Sequence, residues 1–130
     1  MTVVDKRPVP VSTRPAPKMP RETRDRWCAA LRSGDYTKGY FGYYQVVNDQ
    51  PCHCALGVLL DITGPLRPGL PFTDPDSCAM RISAMLGPVE QQQIGNLNDY
   101  GHIMPALRSD DEPLTFDELA DYIEDQVVCS

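Results

Sequence analysis

The stretch Cys-His-Cys-Ala-Leu-Gly-Val-Leu-Leu-Asp-Ile-Thr-Gly, residues 52–64, is the most apolar run in the chain. Read as a helix over residues 53–62, it places Ala55, Val58 and Leu59 on one face. Because buried apolar area is the main source of stability, other elements must cover such a face. The stretch therefore predicts a central, buried helix around which the rest of the chain is arranged.

Three further helices are predicted from helical spacing of apolar residues, over residues 21–33, 76–86 and 116–127. Thr115 and Glu118 fit a capping box at the start of the last of them. We expect these helices to pack around the central one.

The first and second of these helices carry their own signals. Trp27 is the only tryptophan in the chain, and its spacing in the first helix predicts a core anchor, with stacking on a ligand as the alternative. Asp74 followed by Pro75 is a good cap and first turn for the helix over residues 76–86.

A short helix is predicted to begin at Pro88 and to end near Ile94. Residues 95–101, Gly-Asn-Leu-Asn-Asp-Tyr-Gly, are dense in turn formers. Asn98 and Asp99 are expected to close that turn by bonding local backbone amides, and a polar ligand site is the alternative.

Residues 36–47 are rich in aromatic and β-branched side chains with interspersed glycines. This composition predicts a strand, or a hairpin bent at Gly39 or Gly42, and residues 48–51 then form a turn into the central helix. The aromatic side chains have two possible uses. They either cover the central helix from a small sheet or form an aromatic surface patch for a partner.

The predicted fold is α+β, a mainly helical single domain with a small antiparallel sheet or hairpin around the central apolar helix. Residues 19–130 form the globular domain. Residues 1–18 are predicted to be a proline-rich flexible arm, which is either solvated or docked on a partner or another subunit. Its prolines are Pro8, Pro10, Pro15 and Pro17.

The net charge of -6 is unevenly distributed. Residues 1–33 hold eight basic and three acidic residues, or +5, whereas residues 34–130 hold four basic and fifteen acidic ones, or -11. An acidic body repels phosphates, which argues against direct nucleic-acid binding and favours a partner with a basic surface. No apolar run is long enough for a membrane span and no export signal is present, so a cytoplasmic location is expected.

The acidic residues near the carboxyl end are the predicted partner-binding site. They lie in the loop before the last helix and on its polar face, and acids near the helix end oppose the helix dipole. A solvated helix face is the alternative interpretation. The predicted partner-binding residues are Asp110, Asp111, Glu112, Asp117, Asp121, Glu124 and Asp125.

Cys52, His53 and Cys54 are the residues most suggestive of metal or thiol chemistry. Zinc sites use four ligands, usually as two spaced pairs, and only one pair is present here. Cys54 as a nucleophile would need His53 or His102 as base and Asp99 as its orienting partner. Phosphate-binding, nucleophile-elbow and zinc-protease motifs are absent from the sequence. We therefore assign no catalytic residue, no metal and no cofactor, and we predict a protein that is not an enzyme.

Three motifs occur in a fixed order: WCAALRSGDY at residues 27–36, CALGVLLD at 54–61, and LND at 97–99 followed by FDELADYIE at 116–124. This pattern resembles a group of small uncharacterised proteins of bacteriophages and bacteria, actinobacteria among them. The group often has two adjacent cysteines where this chain has Cys54 and an alanine. The loop before the last helix is also longer here.

The resemblance implies a phage-type accessory protein acting in a host cytoplasm. Combined with the charge distribution, it predicts a non-enzymatic protein that binds and modulates a host protein through an acidic surface. The alternatives are an acidic DNA mimic that inhibits a DNA-binding protein and a small metal- or thiol-dependent enzyme. Self-assembly through the arm is a further possibility.

Overall fold

The structure is a computed structural model that describes residues 19–64, 73–101 and 112–129. The predicted arm, residues 1–18, lies outside the described residues. So do His102 and two of the predicted partner-binding residues, Asp110 and Asp111.

Within the described residues the chain forms five helices and three strands, so the prediction of a mainly helical α+β fold is confirmed. The helices are α1 (Arg21–Arg32), α2 (Ala55–Thr63), α3 (Pro75–Ser83), α4 (Pro88–Tyr100) and α5 (Phe116–Gln126). The strands are β1 (Thr37–Lys38), β2 (Tyr44–Val47) and β3 (Gln50–His53).

Helix α2 is the buried centre of the fold, as its apolar run predicts. Val58, Leu59 and Leu60 have no exposed side-chain surface. Each such aliphatic side chain contributes about 1.5–3 kcal/mol by leaving water. Helices α1, α3 and α4 contact α2 directly, whereas α5 packs chiefly on α1 and secondarily on α4.

Trp27 on α1 is fully buried, which confirms it as a core anchor. Its Nε1 donates a hydrogen bond of 2.8 Å to the carbonyl oxygen of Ala55. The indole N–H therefore has a partner inside the core, and the bond ties α1 to the first residue of α2.

Two helix starts follow their sequence signals. Asp74 Oδ2 accepts the backbone N–H of Ser77 at 3.0 Å, with proline at the first helical position of α3. Thr115 Oγ1 accepts the N–H of Glu118, whose carboxylate returns to the N–H of Thr115 at 2.9 Å. The predicted capping box of α5 is thus confirmed, because both reciprocal bonds are present.

The sheet has the order β1-β3-β2 and is mixed, since β1 pairs with β3 in parallel and β2 pairs with β3 antiparallel. Asn48 and Asp49, both at positive φ, form the two-residue turn between β2 and β3. The prediction that residues 48–51 turn directly into the central helix was therefore wrong. The turn at Asn48 and Asp49 leads into β3, which includes Cys52 and His53, and α2 begins at Ala55.

Helix α4 continues to Tyr100, so the turn predicted over residues 95–101 was wrong. The helix ends where Gly101 adopts the left-handed conformation, with φ of 86°. Asn98 and Asp99 do not close a local turn. Their side chains form hydrogen bonds with residues that are distant in sequence.

Candidate functional site

The Cys52-His53-Cys54 triplet is divided between two elements, so its side chains serve different neighbours. The His53 ring lies edge-on to the rings of Tyr36 and Tyr44, each at a centroid distance of 5.1 Å. Cys54 is the N-cap of α2, and its sulfur accepts the N–H of Gly57 at 3.4 Å. In the part of the chain that the structure describes, no three His, Cys, Asp or Glu residues are grouped to hold a metal ion.

Cys54 is held as a neutral thiol. Burial raises its pKa to about 11 from an ordinary 9.0. The thiolate is the nucleophilic form of cysteine, so this thiol is not activated near neutral pH. The environment of Cys54 is that of a packed helix cap.

Asn98 is the main polar contact point inside the domain. Only 1% of its surface is exposed, and its side chain bonds two separate elements. Its Oδ1 accepts the N–H of Ala55 at 3.1 Å, and its Nδ2 donates to the carbonyl of Gly39 at 3.0 Å. Asn98 therefore fixes α4 to the start of α2 and to the loop that follows β1.

Asp99 faces that loop from the surface side of α4. Its Oδ1 accepts the backbone N–H of Phe41 at 3.0 Å and the Nδ2 of Asn98 at 2.9 Å. Phe41 has a φ of 60°. A left-handed conformation costs an L-residue about 1–2 kcal/mol, and a bulky aromatic residue rarely adopts it. The Asp99 carboxylate supplies a bond that holds this strained residue in place.

The strained residue belongs to an exposed group of three rings, which we call the aromatic cluster: Tyr40, Phe41 and Tyr100. Their exposed fractions are 40%, 65% and 39%. The Phe41 ring centroid lies 6.4 Å from that of Tyr40 and 5.4 Å from that of Tyr100. Ring contacts at these distances join residues of the loop and the end of α4 into one apolar surface.

Lys38 borders the aromatic cluster. Its Nζ lies 3.8 Å from the centroid of the Tyr40 ring and donates a 2.6 Å hydrogen bond to the carbonyl oxygen of Asn98. Burial lowers the pKa of Lys38 to about 8 from an ordinary 10.5. The cation therefore sits between ring and backbone, where it fixes the position of Tyr40.

The acidic face of α5 is exposed, as predicted, but two of its acids have an intramolecular partner. Arg32 on α1 bonds Asp121 at 2.6 Å and Glu124 at 2.7 Å. The bond to Arg32 holds the pKa of Glu124 below its ordinary 4.5. The exposed carboxylates of α5 are Asp117, Glu118, Asp121, Glu124 and Asp125.

The remaining acidic residues differ in whether their carboxylates are already bonded within the chain. Glu118 is occupied by the capping box, whereas Asp117, Asp125 and the predicted loop residue Glu112 are exposed. A DNA mimic needs a continuous row of carboxylates at phosphate-like spacing. Arg32 pairs with Asp121 and Glu124, so the charge of these two carboxylates is partly neutralised within the chain.

The sequence indicated that residues 36–47 form an aromatic segment, but it did not predict which of the rings are buried and which are exposed. The signal was the density of tyrosine and phenylalanine with glycines over residues 36–47, for which an aromatic surface patch was one of two interpretations. In the structure some of these rings pack on the core and others are exposed. Tyr36, Tyr43 and Tyr44 pack on the core, and Tyr40 and Phe41 face solvent.

Comparison with known protein families, curated proteins and solved structures finds no match to this chain. Among the described residues, none of the helices combines the length and the apolar character needed to cross a bilayer.

Proposed function

We propose that this chain is a non-enzymatic, phage-type accessory protein that binds and modulates a host protein in the host cytoplasm. The contact surface is the aromatic cluster, and the acidic face of α5 attracts a partner with a basic surface. The observation that carries the proposal is Phe41, which is 65% exposed and yet fixed at positive φ by Asp99.

Strain at Phe41 supports a binding role because a residue without this strain could occupy the same backbone position. Backbone strain persists where surrounding bonds enforce it, and it concentrates at sites of function. A glycine at this position would adopt the same φ without steric cost. A large apolar side chain is instead held here with about 1–2 kcal/mol of backbone strain, which is the pattern of a residue used for contact.

The composition of the cluster supports the same conclusion. Tyrosine and phenylalanine are enriched at the centres of protein interfaces, and tyrosine is common among the residues that dominate binding energy. The Phe41 ring contacts the other two rings, Lys38 lies over the Tyr40 ring, and Asp99 bonds the backbone of Phe41. These contacts restrict the side chains before a partner binds, so less side-chain freedom is lost on binding.

The acidic face contributes mainly to the rate of encounter. Asp117 and Asp125 are exposed and supply negative charge on the helix surface. Charges at the rim of an interface raise the association rate and make it dependent on salt, with a smaller effect on the dissociation rate.

Affinity capture from host lysate with the full chain tests the proposal. We expect one host protein to be retained by the wild type and by Val89→Ala, which changes an exposed apolar residue outside the cluster. Phe41→Gly should bind the purified host protein at least 30-fold more weakly, equivalent to about 2 kcal/mol for a dominant contact residue. Equal affinity of Phe41→Gly and wild type would overturn the role of the cluster.

A second variant distinguishes electrostatic attraction of the partner from direct contact with it. We expect Asp117→Lys with Asp125→Lys to slow association and to reduce its salt dependence, with a nearly unchanged dissociation rate. Surface plasmon resonance at two salt concentrations measures both rates. An unchanged association rate would contradict the part assigned to the acidic face.

A further inference from the structure

We infer that an extended segment of the partner adds to the outer edge of β2 as a fourth, antiparallel strand. The inference rests on the proposed function, because it specifies how that partner is bound. It follows from the hydrogen-bonding register of the sheet, from the difference between its two edges, and from charge.

The register of β2 and β3 directs the backbone polar groups of Val46 to the outside of the sheet. The turn between the two strands has two residues, so Val47 and Gln50 form a hydrogen-bonded pair. Bonded and non-bonded pairs alternate along an antiparallel ladder, which makes Val46 and Pro51 a non-bonded pair. The N–H and C=O of Val46 therefore point away from β3.

Tyr44 has the same orientation, as a bond on the far side of β3 shows. Tyr44 pairs with His53, whose carbonyl oxygen accepts the N–H of Gly39 at 2.8 Å. The His53 carbonyl is thus turned away from Tyr44, as in a non-bonded pair. In the described part of the chain no other strand pairs with β2. The backbone groups of Tyr44 and Val46 therefore form an edge to which one more strand can bond.

The two edges of the sheet differ in how they are protected. Strand β1 is two residues long and ends in Lys38, and the part of β3 that β1 leaves uncovered contains Pro51, which has no N–H. Residues 40–48, which include β2, contain neither a charged residue nor a proline. Val46 and Val47 are 58% and 49% exposed, one on each face of the sheet. An added strand would therefore have an apolar neighbour on both of its faces.

Charge favours a basic partner segment over a second copy of this chain. Residues 34–130 hold four basic and fifteen acidic residues, or -11, so two copies repel each other. Asp49 is exposed in the hairpin turn, close to the end of β2. A segment with β-branched residues along its centre and a basic residue at its end would pair its backbone with β2 and its charge with Asp49.

Nuclear magnetic resonance of the isotope-labelled full chain with a capped peptide, Arg-Thr-Val-Thr-Val-Arg, tests the inference. In the free chain the amides of Tyr44 and Val46 should exchange rapidly with water. With about 90% of the chain bound they should exchange about tenfold more slowly, because only the free fraction exchanges. The Hα of Gln45 faces an added antiparallel strand, so it should show Overhauser effects to the peptide backbone, and the Hα of Val46 should not.

Two substitutions at one position provide a matched pair. Val46→Pro removes the outward N–H and leaves the ladder to β3 in place, so it should abolish the slowing at Tyr44. Val46→Thr keeps the N–H and the β-branched shape, and it should bind the peptide within about twofold of wild type. An Overhauser effect between the Hα protons of Tyr44 and His53 reports whether the hairpin is intact in each variant. If Val46→Pro does not fold, the wild-type measurement decides.

Three results would overturn the inference. They are unchanged exchange of Tyr44 and Val46 when the peptide is added, peptide contacts to the Hα of Val46 instead of Gln45, and slowing that follows the concentration of the chain itself without peptide. The last would make a second copy the occupant. The proposed function fails separately, when the host protein binds Phe41→Gly as tightly as wild type. If Phe41→Gly loses the host protein and Val46→Pro retains it fully, the aromatic cluster is the contact surface and the strand edge is not.

Discussion

Two neighbouring residues on α4 connect the interior of the protein with its surface. Asn98 points inward and bonds the first residue of α2, in a region where the polar side chain is almost fully buried. Asp99 is half-buried and accepts the backbone N–H of Phe41, a strained and exposed residue. The interior region is optimised for packing, whereas the surface region keeps a conformation that packing alone does not favour.

This difference shows how a small domain combines stability with a prepared binding surface. The buried bonds of Asn98 fix α4 relative to α2, and the fixed helix then gives Asp99 a rigid base from which to hold the loop. Changes in the interior should therefore alter stability, while changes in the cluster should alter binding and leave stability nearly unchanged.

The largest effect is expected from Asn98→Ala. It leaves the Ala55 N–H and the Gly39 carbonyl without their buried partner, and each loss costs about 1–3 kcal/mol, so we expect about 4 kcal/mol of destabilisation in total. Urea unfolding measures it, with Gln92→Ala on the exposed face of α4 as the control. A loss below about 1 kcal/mol would mean that Asn98 does not join the two regions.

Gly57→Ala should destabilise the interior by about 3 kcal/mol, because the added Cβ would lie 1.9 Å from the carbonyl oxygen of Tyr43 and force α2 away from the residue that precedes β2. Gly95→Ala is the matched control. A Cβ there meets no atom within 4 Å, so the better helix former should stabilise α4 by about 1 kcal/mol. Thermal unfolding of both variants should give changes of opposite sign.

Phe41→Gly should change the free energy of unfolding by less than about 1 kcal/mol. Relief of left-handed strain favours the variant by about 1–2 kcal/mol, and the flexibility that glycine adds to the unfolded chain, together with the removal of ring packing, offsets it. Denaturant unfolding measures this balance. A destabilisation above about 2 kcal/mol would identify Phe41 as a folding residue and remove the contrast between the regions.

The smallest effect is expected at the acidic face and depends on pH. Arg32 lowers the folded-state pKa of Glu124 below 4.5, so the bond stabilises the folded state above pH 4.5 and is lost as the pH falls through the lowered value. Glu124→Gln should therefore be slightly less stable than wild type at pH 7 and equal to it at the acidic end. Urea unfolding of both proteins at several pH values measures the convergence, and a difference in stability that persists at the acidic end would contradict the role of the Arg32 bond.

Several features of the fold were predictable because their signals are local. The apolar run placed α2 in the interior, and the residues Asp74, Pro75, Thr115 and Glu118 marked two helix starts by bonds that span only three residues. The acidic face of α5 was likewise exposed as its pattern predicts. Its partner-binding role, and the phage-type context suggested by resemblance, stay predictions.

The sequence by itself determined the central helix, the caps and the charge distribution, since periodicity, capping bonds and composition act over a few residues. Only the tertiary structure decided that Cys52 and His53 extend a strand and that Asn98 and Asp99 continue a helix. Asn98 bonds Ala55, 43 residues away, and Asp99 bonds Phe41, 58 residues away. Local turn propensity is worth less than these long-range bonds, so the packed fold overrides it and in doing so places Phe41 on the surface.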